Sequence, residues 1–397
     1  MTALTLHEGD CLNVMADLPE AHFDAIVTDP PYHLTSIVKR FGGKDAAAAG
    51  FGTDGLFARS SKGFMGKDWD GGDIAFRVET WQAALRVLKP GGHLVAFSAA
   101  RTYHHMAVAI EVAGFEMRDS ILDLYSASDA WRDFLDGLPP ENLNALARAL
   151  ASADAPLLGW LYGTGFPKSH EVAARMTGDD KAQWQGWGTA LKPAWEPIVL
   201  ARKPLAETSV ARQHKATGTG GINVGDTRIG VESRHNGSAY NNNIYGQFQG
   251  LETEGRAVEG RWPANVVHDG SAEVLARFPV DGGGTSARFY YSAKANAQDR
   301  AGSDHPTVKP QSLMRWLVRL TTARGGLVLD PFGGSGSTGW AAVTEGRRCH
   351  LIERDPDYAA HIRNRLADFD PAYLTAEPEA KLTTDAAGQS DLFGGAA

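Results

Sequence analysis

Short apolar runs alternate with helical stretches along this chain. Five runs read as strands: residues 23–28 (FDAIVT), 93–98 (HLVAFS), 197–202 (PIVLAR), 327–330 (LVLD) and 348–353 (RCHLIE). Near-continuous apolar strands of this kind suit a parallel sheet covered on both faces. Between them, VETWQAALRVLK carries a helical period up to a KPGG stop at residues 89–92. A second helix is predicted in PTVKPQSLMRWLVRLTTARGG, with Pro310 suited to the first turn and Gly325 and Gly326 to the end. Strands and helices in this alternation predict a doubly wound α/β sheet.

Two regions interrupt the pattern. Residues 41–72 are rich in Gly, Ala, Ser and Asp without periodicity and follow a Pro-Pro strand end, as a loop over a site would. Residues 204–301 are polar and rich in Gly and Asn, and read as an insertion with its own small fold. Residues 376–397 are small and polar, a composition that predicts a disordered tail. One domain, made of residues 1–203 and 302–375, remains around the insertion.

Composition narrows the function classes. With 397 residues the chain can hold one large α/β domain with an insertion, and no run approaches the roughly 18 apolar residues of a membrane span. Only two cysteines are present, Cys11 and Cys349, so neither a disulfide framework nor a four-thiolate zinc site is available. His104 and His105 lack a second ligand pair at metal-binding spacing, and no metal is implied. The start lacks a secretory pattern, and the expected location is the cytoplasm. The net charge of −8 argues against bulk electrostatic coating of nucleic acid and leaves room for a local basic groove.

The 45 glycines cluster where chemistry is expected. In LVLDPFGGSGSTG a strand and an acid precede Gly334, Gly336 and Gly339 in GxGxxG spacing, with a helix predicted to follow. Such glycines let the backbone turn tightly against a ligand at a helix N-terminus, and Glu353, at the end of the next strand, is placed to accept from ribose hydroxyls. NAD, FAD and S-adenosylmethionine all fit this pattern taken alone. FDAIVTDPPYH then delivers Asp29, Pro30, Pro31 and Tyr32 at a strand's C-terminal end, where open α/β sheets bind ligands. Two prolines donate no backbone N–H, Asp29 adds an acceptor and Tyr32 a flat ring. Acceptors beside a stacking platform suit an exocyclic amine.

These residues carry a family resemblance. DPPY at 29–32, Asp10 and Cys11 upstream, HPTVKP at 305–310 and DPFGGSGSTG at 330–339 resemble the DNA amino-methyltransferases that modify adenine N6 or cytosine N4. Their order resembles the permuted beta class; KDWD at 67–70, LKPGGHLVAF at 88–97 and AWEPIVLARK at 194–203 agree with it. The resemblance implies a Rossmann-like seven-stranded methyltransferase sheet with an inserted small recognition domain at 204–301. It implies S-adenosylmethionine as cofactor, with Asp330, Phe332, Gly334, Ser335 and Gly336 around its methionine and ribose portions and Glu353 on the ribose. Asp10, with Cys11 beside it, would reach the adenine end, and Thr307 and Lys309 would lie beside the methionine. Lys309 suits either the cofactor carboxylate or solvent at a helix start. Asp29, Pro30, Pro31 and Tyr32 would hold a base flipped out of double-stranded DNA for direct methyl displacement. DPPY tilts the choice to adenine, with cytosine N4 as the alternative and a catalytically idle binding module as a remote one.

For the grip on DNA, residues 201–234 hold six basic side chains, Arg202, Lys203, Arg212, Lys215, Arg228 and Arg234, against three acidic ones. Arg59, Lys62 and Lys67 offer a second contact. Trp184, Trp187 and Trp195 read as an aromatic core. The tail peptide with Gln389, Leu392 and Phe393 resembles the short peptide that docks bacterial proteins on the replication sliding clamp. A homodimer is compatible with the sequence.

Overall fold

The computed structural model describes residues 3–32, 73–100, 102–118, 157–161, 171–187, 195–236, 256–276, 278, 280–281, 284–293, 299 and 308–366. Its strands are β1 (Leu4–Glu8), β2 (Phe23–Thr28), β3 (Leu88–Phe97), β4 (Glu116–Met117), β5 (Leu157–Leu161), β6 (Trp195–Arg202), β7 (Ile229–Asn236), β8 (Arg256–Arg261), β9 (Val266–His268), β10 (Val280–Asp281), β11 (Gly284–Thr285), β12 (Tyr291–Ser292), β13 (Leu327–Asp330) and β14 (Arg348–Glu353). Its helices are α1 (Cys11–Asp17), α2 (Val78–Val87), α3 (Tyr103–Val112), α4 (Gly178–Gln183), α5 (Val210–Thr217), α6 (Ala272–Leu275), α7 (Gln311–Thr321), α8 (Ser337–Thr344) and α9 (Pro356–Leu366). Among the described residues, no helix is long and apolar enough to cross a membrane.

The main sheet runs β1-β14-β13-β2-β3-β6-β5-β9-β12, with β4 paired to β6. Its first seven strands are the expected mostly parallel methyltransferase-type sheet, in which β6 runs antiparallel to both β3 and β5. The two- and three-residue strands β4, β9 and β12 extend it. Successive side chains of a strand point to opposite faces, so the apolar runs feed two cores. Val27, Val95, Val328 and Leu351 pack with Leu313 and Leu317 of α7, Ala341 of α8 and Ile362 of α9. Ile26, Leu94, Leu329 and Ile352 pack with Met15 of α1, Trp81 of α2 and Met106 of α3. The strands are covered on both sides, which is why they read as unbroken apolar runs.

β2 and β13 lie side by side, pairing Ala25 with Val328 and Ile26 with Leu329. From β13 the chain passes through α8 to β14 on one side, and from β2 it goes on to β3 on the other. The direction of winding reverses between them. A crevice therefore opens outside their C-terminal ends, the place where such sheets take ligands.

Three local expectations change. KPGG follows the helix end but is itself part of β3: α2 stops at Val87, Leu88 pairs with Phe23, and the register then jumps so that His93 pairs with Ala25. Gly91, at φ 75°, makes this excursion feasible and donates its N–H to the Lys203 carbonyl at 3.0 Å. The tryptophans are not an aromatic core: Trp184 and Trp187 meet edge to face with centroids 5.1 Å apart, and Trp187 is 59% exposed.

The third change concerns the insertion, which is divided rather than self-contained. α5, capped by Ser209 and ended by Gly218 at φ 76°, sits on β3, with Thr219 Oγ1 donating to the Pro90 carbonyl at 2.6 Å. Asn223 N–H bonds the Leu320 carbonyl at 2.8 Å, Trp316 Nε1 bonds the Thr227 carbonyl, and Ile229 is buried in the core under α7. β9 and β12 belong to the main sheet, while β7-β8 and β10-β11 form two small sheets apart from it.

Candidate active site

The loop after β13 is built around Asp330. Asp330 is 2% exposed, accepts from Thr28 Oγ1 at 2.6 Å and from the Phe332 N–H at 3.0 Å, and so ties the ends of β13 and β2 together. Burial pushes its carboxyl up to about 6 against the pull of these donors. Gly334 at φ 51° and Gly336 at φ 77° then turn the chain into α8, conformations that a side chain would strain. A Cβ at Gly339 would lie 2.8 Å from Leu4 Cδ1 and 2.9 Å from Leu351 Cδ1, so this glycine lets α8 close on the sheet. Glu353 faces the turn: Oε2 accepts from Gly334 N–H at 2.7 Å and Oε1 from Asp355 N–H at 2.8 Å. Its burial raises its pKa above the usual carboxylate range. Arg365, absent from the sequence reading, clamps the loop by donating to the Ser335 carbonyl at 2.8 Å and to the Asp299 carbonyl at 2.9 Å.

A glycine turn at a helix start, with a carboxylate at the next strand's end, can hold a nucleoside-bearing cofactor. Asp10 caps α1 by accepting from Leu12 and Asn13 N–H groups, and Gly9 N–H bonds the Glu353 carbonyl at 2.9 Å, so the Asp10 segment borders the same crevice. Cys11 beside it is buried, and burial drives its thiol up to about 12; burial also raises Cys349 well above an ordinary thiol. Neither thiol is a nucleophile in the folded protein. Alkylation by iodoacetamide at pH 8 is expected to be at least about a hundredfold slower than after unfolding, read as a mass-spectrometric time course. Fast labelling of either cysteine in the native protein would contradict this.

Across the crevice stands the DPPY turn. Pro30 is buried, and the Tyr32 carbonyl accepts from Thr102 Oγ1 at 3.2 Å, which anchors the turn to the start of α3. Tyr32 Oη donates to Asp29 Oδ1 at 2.6 Å and also contacts Glu196 of β6. Lys309, at the foot of α7, is not in solvent. Its Nζ lies 2.8 Å from Tyr32 Oη, 2.7 Å from Glu196 Oε1, 3.2 Å from Asp29 Oδ2 and 4.7 Å from the Phe97 ring centroid. Burial lowers Lys309, but the Asp29 and Glu196 carboxylates outweigh it and hold the ammonium above its ordinary value. Burial, followed by the same carboxylates, raises Tyr32 well above an ordinary phenol. Glu196 is raised by burial against the pull of Lys309. The result is a buried four-residue network at the crevice wall.

The basic residues expected on DNA separate into groups. Arg202 is 5% exposed and bonds Glu116 at 2.6 Å, and Lys203 donates to the Leu85 and Leu88 carbonyls that end α2, so both serve the sheet rather than an outer surface. Arg212 and Lys215 are exposed on α5. Arg228 is half-buried, donates to the Gly260 carbonyl and lies 5.6 Å over the ring of Trp262, which is 65% exposed. The Arg234 side chain, Thr307, Arg59, Lys62, Lys67, and Gln389, Leu392 and Phe393 lie outside the described residues.

The sequence pattern of the DNA methylase family, N6/N4 type, matches residues 23–364, a span that takes in both the DPPY turn and the glycine turn. The chain belongs to that family. Over 80 residues this chain is 38% identical to the DNA adenine methyltransferase YhdJ of Escherichia coli K12, covering 20% of this chain and 26% of the relative. Over 62 residues it is 42% identical to the type II methyltransferase M2.DpnII of Streptococcus pneumoniae, covering 16% and 23%. These matches span about a quarter of each relative's length. The type II methyltransferase M.HindIII of Haemophilus influenzae is 22% identical over 378 residues, 91% of this chain and 94% of that one. Among solved structures, an M1.HpyAVI complex with SAM aligns with a TM-score of 0.41 at 15% identity, covering 91% and 98% of the two chains. The cytosine-N4-specific PvuII DNA methyltransferase gives 0.40 at 14%, covering 98% and 91%.

Proposed function

We propose that this DNA methylase transfers the methyl group of S-adenosylmethionine to the exocyclic N6 of an adenine flipped out of double-stranded DNA. The observation that carries the reading is the placement of the DPPY turn and the glycine turn on adjacent strands, tied by the Thr28 to Asp330 hydrogen bond at 2.6 Å. The cofactor supplies an electrophilic methyl on a sulfonium. Everything else is positioning by this chain. The glycine turn and Glu353 hold the nucleoside end, and the Tyr32 ring stacks the base. Asp29 and the Pro30 carbonyl accept the two amino hydrogens, which draws the nitrogen lone pair out of conjugation and toward the methyl. A base within a duplex cannot reach this geometry, hence the flip. DPPY, together with adenine methylation in the name of YhdJ, supports adenine over cytosine.

The test is mass spectrometry of nucleosides from plasmid DNA incubated with the purified full-length protein and S-adenosylmethionine. N6-methyladenine is expected. N4-methylcytosine without it would move the activity to cytosine, and unmodified DNA from many sources would overturn the reading.

A further inference from the structure

Charge in the DPPY network does not cancel in pairs. Asp29 and Glu196 bring two carboxylates and Lys309 one ammonium, all grouped around the Tyr32 hydroxyl, for a net charge of −1. Lys309 Nζ sits nearer Glu196 Oε1, at 2.7 Å, than Asp29 Oδ2, at 3.2 Å. The three side chains are 7%, 11% and 19% exposed, Asp29 the most, so water does little to screen them from one another. Glu196 comes from the reversed strand β6, remote in sequence from both Asp29 and Lys309.

During methyl transfer, positive charge leaves the sulfonium and builds on the target nitrogen. A carboxylate facing that nitrogen helps only while it keeps its negative charge to offer. An ammonium paired wholly with it would neutralise it beforehand. We propose that Glu196 is a positioning residue: it holds the Lys309 ammonium, so that Asp29 keeps the charge with which it takes the target amine. This rests on the reading of Asp29 as the base-holding acceptor. Removing the Glu196 charge leaves one cation and one anion, and Lys309 then turns its full attraction on Asp29. Removing the Lys309 charge as well returns the site to −1, carried by Asp29 alone.

The experiment uses full-length protein, tritiated S-adenosylmethionine and genomic DNA from a host that does not express it. Four proteins are compared: wild type, Asp29→Ala, Glu196→Gln and Glu196→Gln/Lys309→Met. Glu196→Gln is expected to lower kcat about a hundredfold, with KM for DNA and cofactor within about threefold of wild type, and the double variant to recover at least tenfold over the single. A merely structural role predicts the opposite ordering, because the second substitution would add its own damage. The inference is overturned if Glu196→Gln keeps wild-type kcat, or if the double variant is no faster than the single. Should the single variant fail to fold by circular dichroism, the double variant, from which both the Glu196 and the Lys309 charges are gone, must fold and outpace Asp29→Ala tenfold, or the inference falls. An Asp29→Ala protein as active as wild type would instead sink the underlying reading, and this inference with it.

Discussion

An Asp29→Ala protein is expected to transfer methyl about a hundredfold to a thousandfold more slowly than wild type in a single turnover, the loss seen when a preorganised charge-stabilising group is removed. Binding is expected to survive. The Tyr32 hydroxyl keeps Glu196 as a partner, Lys309 keeps its 2.7 Å contact to Glu196, and Pro30 remains buried, so the turn retains its anchors without the carboxylate. Cofactor affinity, read by calorimetry, should stay within about threefold, since on the proposed function Asp29 takes the base and not the cofactor. Asp29→Asn should fall between the two, because an amide keeps one acceptor but offers no charge. Rapid-quench rates within tenfold of wild type for Asp29→Ala would remove Asp29 from the chemistry.

Why Asp29 was legible in the sequence and Glu196 was not has a physical cause. DPPY and GGSGSTG each act through backbone that is local in sequence: two prolines fix a turn, and glycines permit positive φ at 334 and 336. The strands that deliver them are covered on both faces, so they stand out as apolar runs, and three of the five anticipated strands have the expected bounds. β1 escaped notice because an edge strand is half-exposed and carries the mixed pattern LTLHE. Glu196 and Lys309 meet across 113 positions, and nothing local encodes that. A signal was present nonetheless. A Glu inside the apolar run WEPIVLA must be buried with a partner, and a buried carboxylate without a cation is too costly to persist. Arg202 and Lys203 misled for the converse reason, since charge counted along a chain does not tell which side chains the fold consumes. Arg202 is held by Glu116, and Lys203 ends α2.

Asp330→Asn is expected to make the protein more stable at pH 7.5, by up to about 3 kcal/mol. The sign follows from where the proton sits. In the unfolded chain this carboxyl titrates near 3.8, while in the folded protein burial moves it up to about 6. Below the lower value both states are protonated and nothing is lost. As pH rises between the two, the unfolded chain ionises first, and stability drains away until the folded carboxyl has ionised too, near pH 6. At neutral pH the full cost is in place. Asparagine carries no charge to desolvate, and its carbonyl can accept from Thr28 Oγ1 and the Phe332 N–H as the carboxylate does. Groups that titrate alike in both proteins cancel in the comparison. The advantage of the variant, from urea unfolding at a series of pH values, should therefore shrink below pH 6 and vanish near pH 4. A constant difference, or none at pH 7.5, would show that Asp330 is not held against its solvation. On the proposed function the same substitution weakens S-adenosylmethionine binding, so the carboxylate at the junction of β13 and β2 is kept for the ligand at the expense of the fold.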